Sequence, residues 1–353
     1  MTEKPETIRE EDYFEQAFEG SFEKIRRKFE TISAATLHIT LVGSMNAEKE
    51  RVVELLTGIR LKDIKPSSAG KNKIYAVAEN IFIVDTPGYN KKGIRLQLPD
   101  DTDLVLFFLD APTGIQQDVR DVFQEISAAG KEMVAVIDRT ETIREETLDG
   151  LVMQVREELG INPVPVQTKS GEGLEDLNEK IVGMLEDPED EGKVLYYLKI
   201  SLYKRKSVDK WIRKAAALAL AVGALPLPGS DMVPLTALQM ELALKIAWIF
   251  DITPDKEKTL ELLRSTLTGN TGKQAVRWAM ETLDRTGWEP GKKIKGLARA
   301  GVSSLVAAAL TFAFGWACYA YFKSSMSIDL NEVADMFRTA YEEYKNITGK
   351  TEK

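Results

Sequence analysis

Short apolar runs alternate with segments of helical periodicity between residues 37 and 185. The runs are bounded by turn residues, which is typical of buried strands. They lie at 37–42, 74–78, 81–84, 104–109, 133–137 and 164–167. Strands that alternate with helices form parallel sheets with helices on both faces. This part of the chain is therefore predicted to be an α/β domain with a mostly parallel sheet, at residues 36–186.

The N-terminal segment, residues 1–35, carries one amphipathic helix. Its apolar residues recur at steps of three and four, which is the spacing of one helix face. They are Phe14, Phe18, Phe22, Ile25, Phe29 and Ile32. Two hypotheses follow. The helix docks on the α/β domain behind it, or it binds a partner or a second copy of the chain.

The chain changes character after a charged stretch at 186–192 that contains Pro188 and Gly192. Such a stretch favours a domain boundary. Residues 193–350 show no strand alternation and carry long apolar segments. We predict an all-α, apolar second domain for them.

Two weakly charged regions of this second domain have the pattern of membrane segments. Ala300 to Phe322 carries no charge. As a helix it would be about 35 Å long, which exceeds the roughly 30 Å hydrocarbon core of a bilayer. The region 215–250 contains prolines that favour a hairpin, and basic clusters at 204–214 and 292–299 precede both regions.

Basic clusters beside apolar segments are typical of the anionic cytoplasmic face of a membrane. We therefore expect the membrane as a partner, on its cytoplasmic face, which is the inner membrane in a bacterium. The alternative is a buried core, because helices at the centre of a helical bundle are also apolar on all sides.

The composition argues against several kinds of partner and binding site. The 353 residues carry a formal net charge of −8, which argues against a nucleic-acid partner, since that would require a basic face. The chain has one cysteine, Cys318, and one histidine, His38. We expect no disulfide and no zinc site from these counts, and we interpret His38 as a structural strand residue.

The most informative motif follows the first predicted strand. A phosphate-binding P-loop has the pattern Gly-x-x-x-x-Gly-Lys-Ser/Thr between a strand and a helix. Gly43 and Lys49 have the required spacing, whereas Glu48 stands at the second glycine and Glu50 at the hydroxyl residue. The loop keeps its length and its lysine, and it replaces the two residues that approach nucleotide and metal.

Three further motifs follow other predicted strands. The Asp-Thr-Pro-Gly sequence at 85–88 has the Asp-x-x-Gly pattern that responds to the terminal phosphate and its metal in P-loop GTPases. The Asp-Arg-Thr-Glu sequence at 138–141 stands where these proteins carry Asn-Lys-x-Asp, and 165–174 stands where they carry Ser-Ala-Lys. Ligands of such sheets bind at the carboxyl ends of strands, which is where all four motifs lie.

In order and spacing, the four motifs resemble the Era-like family of P-loop GTPases over residues 36–186. The resemblance implies that GTP or GDP binds at Gly43, Asn46, Ala47, Glu48, Lys49, Glu50, Asp85, Gly88, Asp138, Arg139, Glu141, Thr168 and Lys169. It also implies a magnesium site at Asp85, with Glu50 as a second ligand in place of the usual hydroxyl. Alternatively, Glu48 and Glu50 point to solvent.

The resemblance assigns roles to the motif at 138–141. In the family, the last acid pairs with guanine, the lysine covers the ring, and the asparagine ties this loop to the P-loop. Glu141 and Arg139 preserve the first two features, and Asp138 leaves the third open.

The resemblance assigns no catalytic residue. Tyr89 stands after Gly88, where a glutamine would orient the attacking water. Ser67 and Ser68 lie near the place of the magnesium-binding threonine of the first switch. The sequence favours a solvated turn there.

The segment 221–239 resembles a second module. It has the pattern Leu-Pro-x-Pro-x-x-Asp-x-x-Pro-Leu-Thr-x-Leu-Gln. This pattern is similar to the helical domain of unknown function that is fused behind Era-like GTPase domains in bacterial membrane-associated proteins. The resemblance adds to the expectation of membrane contact.

Three hypotheses on function remain. The first is a GTPase-fold regulatory or scaffolding protein with weak or altered guanine-nucleotide binding and little or no hydrolysis, coupled to a membrane-associated domain. The second is a slow but functional membrane-associated GTPase. The third is a membrane-anchoring or membrane-shaping protein that binds no nucleotide and self-associates. A protein partner or a homo-oligomer fits the first and the third.

Overall fold

The computed structural model describes residues 10–32, 35–89, 96–187, 191–223, 232–253, 256–263 and 297–348. The chain divides into two compact units, which we call the sheet unit, Thr31–Lys204, and the helical unit, Met1–Glu30 with Arg205–Lys353. Residues 1–9, the part 224–231 of the 221–239 pattern and most of the basic cluster at 292–299 lie outside the described residues.

Seven strands among the described residues form one sheet in the order β2-β3-β4-β1-β5-β6-β7. β2 pairs with β3 and β3 pairs with β4 in antiparallel fashion, and the other neighbours are parallel. This confirms the predicted mostly parallel sheet. The strands are β1 (Leu37–Gly43), β2 (Ser67–Ala69), β3 (Asn72–Ala78), β4 (Ile81–Asp85), β5 (Leu104–Asp110), β6 (Met133–Asp138) and β7 (Val164–Pro165).

Helices cover the sheet. Apolar side chains of α3 and α4 form one core with β5, which includes Phe107, Val119 and Val155. α2, α5 and α6 contact one another or strands β1 and β6. Every residue of β5 is buried, so both of its faces are covered. These helices are α2 (Lys49–Thr57), α3 (Gln117–Ala128), α4 (Glu145–Leu159), α5 (Leu174–Leu185) and α6 (Gly192–Ile200).

The hairpin of β2 and β3 differs from the expected solvated turn. Ser67 and Ser68 are exposed, but they form β2, and Ser67 lies opposite Ile74 of β3. Gly70 makes the turn with φ of +63°, a conformation that strains residues with a side chain. A three-residue polar strand has no hydrophobic alternation, so the sequence pattern did not indicate it.

The helical unit is all-helical within the described residues. Its helices are α1 (Glu10–Ile32), α7 (Lys204–Gly223), α8 (Met232–Ile249), α9 (Lys256–Leu263), α10 (Leu297–Lys323) and α11 (Leu330–Thr348). A Cβ on Gly315 of α10 would lie 2.6 Å from Ile212 of α7 and 3.0 Å from Leu242 of α8. The ring of Phe312 lies 5.0 Å from that of Tyr344 in α11. Many side chains of α10, such as Phe314 and Ala317, are buried in the structure.

The predicted membrane segment from Ala300 to Phe322 lies within α10. In the described parts of the chain, no helix combines the length and the hydrophobicity needed to cross a membrane.

The N-terminal helix α1 packs within the helical unit. The ring of Phe29 lies 5.7 Å from that of Trp248, and Lys28 pairs with Glu241 at 2.6 Å. The structure therefore groups this helix with the helical unit. Its periodicity predicts which face is buried, and periodicity carries no information on what covers that face.

The start of the helical unit also differs from the predicted position at residue 193. α6 belongs to the sheet unit, because the Tyr197 hydroxyl donates to Asn178 of α5 at 3.0 Å and the Ser201 hydroxyl donates to the same oxygen at 2.6 Å. The unit ends only at Lys204, after these polar contacts have tied α6 to α5.

Candidate functional site

The loop between β1 and α2 turns tightly at Gly43. A Cβ at this position would lie 2.9 Å from the Cβ of Phe108 and 3.2 Å from the Cδ of Lys49. The contact with Phe108 is shorter than Cβ atoms make, so a side chain at Gly43 would force its neighbours to shift. α2 begins at Lys49, which places the loop between a strand and a helix, the setting of a phosphate-binding loop.

Lys49 is buried and faces the end of β4. Its Nζ lies 2.7 Å from Oδ1 of Asp85 and donates to the Thr86 carbonyl at 2.5 Å. Asp85 reaches the loop because β4 pairs with β1, with Asp85 opposite Leu41. The ion pair compensates the charge of Lys49, which would be costly to bury alone.

A pocket of about 620 Å³ opens beside this pair. Its walls are Ser44, Met45 and the segment 47–51 from the loop and α2, the segment 85–88, and Lys71 with Lys73 from the β2–β3 hairpin. The side chains of Glu48 and Glu50 are exposed and belong to the wall. Asn46 is exposed and does not line the pocket.

The segment after Asp85 lies directly on the loop. A Cβ on Gly88 would stand 2.6 Å from the backbone nitrogen of Met45, and Tyr89 N donates to the Gly43 carbonyl at 3.2 Å. The ring of Tyr89 is directed toward Phe107, at 6.3 Å. Burial, and beyond it the neighbouring carboxylates, raises the pKa of the Tyr89 hydroxyl, so this residue stays neutral.

Asp138 ties the end of β6 to the loop. Its Oδ2 accepts a hydrogen bond from the backbone N–H of Glu48 at 2.6 Å. The tie that the replacement of asparagine left open is therefore present, because a carboxylate oxygen accepts the hydrogen bond as an amide oxygen does.

Burial raises the pKa of Asp138 to about 7, and the charge of Asp110 adds to that rise against the lowering effect of the Glu48 N–H. The other oxygen of Asp138 is buried without a hydrogen-bond partner among the described residues. Near neutral pH this carboxyl exists in both protonation states.

Asp110, at the end of β5, is a site residue that the sequence analysis missed. It is buried, and its Oδ1 accepts from Nε of Arg139 at 2.7 Å and pairs with Nη2 at 2.6 Å. The Thr113 hydroxyl donates to its other oxygen. One feature of the sequence could have indicated Asp110: it is an acidic residue at the carboxyl end of a predicted strand, between the motifs at 85–88 and 138–141. Asp110 fixes the guanidinium of Arg139.

Glu141 and Thr168 are brought together. The Thr168 hydroxyl donates to Oε1 of Glu141 at 3.0 Å, and the Thr168 N–H donates to Oε2 at 3.3 Å. Lys169 is exposed beside them. The residues suggested by the sequence thus form one group at the loop and another around Glu141, and Asp138 is hydrogen-bonded to the loop. After the motifs that they carry, we call these groups the phosphate end and the base end.

The donors at the phosphate end suit magnesium. Glu50 and Asp85 line the same pocket, and magnesium is commonly held by one or two carboxylates together with phosphates and water. Within the described residues, no group of three histidine, cysteine or acidic side chains could hold a metal ion. Two carboxylates leave most of an octahedral shell to phosphate oxygens and water.

Residues 197–346 match the family model described as Domain of unknown function (DUF697). The chain is similar to GTPase Der of Clostridium novyi (strain NT), with 27% identity over 192 residues that cover 49% of this chain and 42% of that protein. It is also similar to GTPase Era of Bradyrhizobium diazoefficiens, with 25% identity over 162 residues that cover 42% and 53%. The chain spans about half the length of the curated relatives it matches.

Two solved structures match part of the chain at low overall similarity. Era in complex with MgGDPNP and a segment of 16S ribosomal RNA has a TM-score of 0.33 and 20% identity, covering 52% of this chain and 67% of that one. A probable GTP-binding protein engB has a TM-score of 0.34 and 18% identity, covering 42% and 97%. The N-terminal half of the chain has an Era/Der-like P-loop GTPase fold, and a DUF697 domain follows it.

Proposed function

We propose that the sheet unit binds guanine nucleotide weakly and acts as a regulatory or scaffolding module with little or no GTP hydrolysis. The observation that carries this proposal is the make-up of the phosphate end. Lys49 is retained and buried beside the pocket, while Glu48 and Glu50 line the same wall. Compared with an intact P-loop, a polyanion placed there meets two additional negative charges.

The size of the repulsion supports weak binding. Two unit charges about 5 Å apart repel by roughly 3 kcal/mol at an effective dielectric constant of 20. Glu48 and Glu50 are exposed, so solvent screens part of this energy. In addition, Lys49 must exchange the carboxylate of Asp85 for the phosphates before it can bind them.

The base end supports guanine as the base. Glu141 presents a carboxylate that is held by Thr168, and guanine offers two adjacent N–H donors to such a group whereas adenine does not. Arg139 provides a flat cationic surface of the kind that stacks on rings, and Asp110 holds it in place.

The residues around the phosphate end also support slow hydrolysis. Tyr89 stands after Gly88 and is directed toward Phe107, so it does not hold a water at the phosphate end. Glu50 and Asp85 are the residues that would hold magnesium, which supplies charge neutralisation to phosphoryl transfer when it is bound. Lys49 would position the phosphates.

The test is a titration of the purified chain with labelled GTP, GDP and ATP, with and without magnesium. We expect dissociation constants above about 1 μM, which corresponds to about 8 kcal/mol of binding free energy, and a preference for GTP and GDP over ATP. We expect fewer than about one turnover per minute, against the roughly 1 to 1,000 per second of ordinary enzymes. Equal competition by ATP, or no binding at about 1 mM, would contradict the proposal.

A slow but functional GTPase is the second candidate, because Glu50 and Asp85 line one pocket and suit magnesium. The two candidates differ in turnover. The slow GTPase requires magnesium-dependent hydrolysis that falls in Glu50→Gln, whereas the first candidate predicts no such dependence on Glu50.

For the helical unit we propose contact with the cytoplasmic face of a membrane. The exposed side of α7 supports it. This side begins with basic residues, which include Arg205, Lys206 and Lys210, and ends with Leu218 and Leu220, whose exposed fractions are 48% and 40%. A helix face that combines basic and apolar side chains suits an anionic lipid surface.

Cosedimentation with vesicles tests the membrane proposal. We expect binding to vesicles of phosphatidylglycerol and phosphatidylcholine, and little binding to phosphatidylcholine alone. Leu218→Ser with Leu220→Ser should weaken binding several-fold. Leu202→Ser is the control, since Leu202 is 64% exposed in the sheet unit. Equal binding of the two variants, or no binding of the wild type, would exclude this role for α7.

A further inference from the structure

The pocket receives two basic side chains that the motif pattern does not include. Lys71 and Lys73 come from the β2–β3 hairpin and line the pocket together with the loop. Glu48, Glu50 and Asp85 line the same pocket. The hairpin therefore brings positive charge to the place where the altered loop has added negative charge.

The position of Lys73 in β3 explains which way it faces. Successive residues of a strand alternate between the two faces of the sheet. Asn72 is buried, and its Nδ2 donates to the Gln97 carbonyl at 2.8 Å. Asn72, the first residue of β3, thus fixes one face of the strand, and Lys73 lies on the opposite face. Lys71 belongs to the turn before β3 and lines the same pocket.

The sheet register sets the position of these lysines relative to the loop. Lys73 lies opposite Asp85 in the β3–β4 pairing, and Asp85 is the partner of Lys49. Tyr75, two residues farther along β3, is buried, shares a hydrogen bond with Lys73 and is close enough to Glu50 and Asp85 to interact with their charges. The face of β3 that carries Lys73 therefore borders the phosphate end of the pocket.

We infer that Lys71 and Lys73 form a phosphate-binding subsite that takes the terminal phosphates of a nucleoside polyphosphate. The inference rests on the proposed nucleotide binding of the sheet unit. The two ammonium groups offset the repulsion from Glu48 and Glu50, and they act on the phosphates farthest from the base. The hairpin thus supplies positive charge that offsets the negative charge added by Glu48 and Glu50.

The experiment measures the affinity of the full chain for GTP, GDP, guanosine and inorganic tripolyphosphate by calorimetry. Lys71→Ala with Lys73→Ala should weaken GTP binding at least tenfold, GDP binding less, and guanosine binding not at all. Lys62→Ala with Lys65→Ala is the matched control, because these exposed lysines of the same connection do not line the pocket. Lys71→Arg with Lys73→Arg should restore most of the affinity.

The outcomes separate the inference from the proposed function. Tripolyphosphate binding that disappears in the alanine variant, in a chain that prefers no base, supports the subsite and contradicts guanine recognition. GTP binding that the alanine variant leaves unchanged, or that the control variant weakens equally, overturns the subsite alone. A wild type that binds neither GTP nor tripolyphosphate overturns both.

Discussion

The two ends of the candidate site carry the same kind of substitution with opposite consequences. At the base end, Asp138 stands in place of an amide and still accepts the hydrogen bond of the Glu48 N–H. At the phosphate end, Glu48 and Glu50 stand in place of a glycine and a hydroxyl residue, and their carboxylates enter the pocket wall. An acid therefore preserves the arrangement at one end and changes it at the other.

The difference lies in what each position has to do. The position of Asp138 has to accept a hydrogen bond from the backbone, and a carboxylate oxygen does so as well as an amide oxygen. The positions of Glu48 and Glu50 face a polyanion, so the sign of the charge decides the outcome. A substitution is therefore better judged by the partner of the residue than by its similarity to the residue it replaces.

The largest expected effect concerns the phosphate end. Glu48→Gly with Glu50→Ser removes two negative charges from the pocket wall, and we expect GTP affinity to rise by about 10- to 100-fold, the factor that corresponds to roughly 1.4 to 2.8 kcal/mol. Calorimetry of the full chain measures it. Glu146→Gly with Glu145→Ser, in the first turn of α4, is the control. A fall in affinity would show that the glutamates bind magnesium.

The base end is tested by its preference between bases. Glu141→Ala removes the carboxylate held by Thr168, and we expect the preference for GTP over ATP to fall by about tenfold, since a good paired contact discriminates by roughly 1 to 3 kcal/mol. Competition between labelled GTP and ATP measures it. Glu141→Asp keeps the acid and should keep the preference. An unchanged preference in Glu141→Ala would place base recognition elsewhere.

The smallest expected effect is on the pH dependence of stability, and it tests the role of Asp138. Burial raises the pKa of this carboxyl from its ordinary value of 3.8 to about 7. The folded chain therefore binds more protons than the unfolded chain between about pH 4 and 7, and stability falls as the pH rises through this window. Asp138→Asn does not titrate and should be more stable than the wild type by about 1 to 3 kcal/mol at pH 8.

The gain should shrink toward zero at pH 5, where the wild-type carboxyl is protonated. Thermal melting of the full chain at both pH values measures the difference. The control is Asp176→Asn, an exposed residue of α5. A gain that is the same at pH 5 and pH 8 would show that Asp138 does not titrate in this range.

The sequence predicted the sheet well and the hairpin poorly, for a physical reason. Buried strands such as β5 are nearly continuous apolar runs, and such runs can be recognised in a single sequence. The strand at Ser67–Ala69 is exposed and polar, so only its pairing partner defines it. Lys71 and Lys73 were missed for that reason.

The sequence also did not predict which residues the side chains contact. The motif spacing located Arg139, but its anchor Asp110 comes from another strand and was not indicated by any motif. Likewise, the apolar face of α1 was evident, whereas its packing in the helical unit depends on Trp248, more than two hundred residues away. A single sequence shows which residues must be buried or paired, and only the fold shows with what.

The ion pair of Lys49 and Asp85 has a consequence for the nucleotide-free form of the protein. A buried phosphate-binding lysine needs a counter-charge when no phosphate is bound, because an isolated buried charge is costly. Here the pair provides that counter-charge within the chain. We therefore expect the nucleotide-free form to stay folded during purification, which thermal melting of the chain without added nucleotide measures.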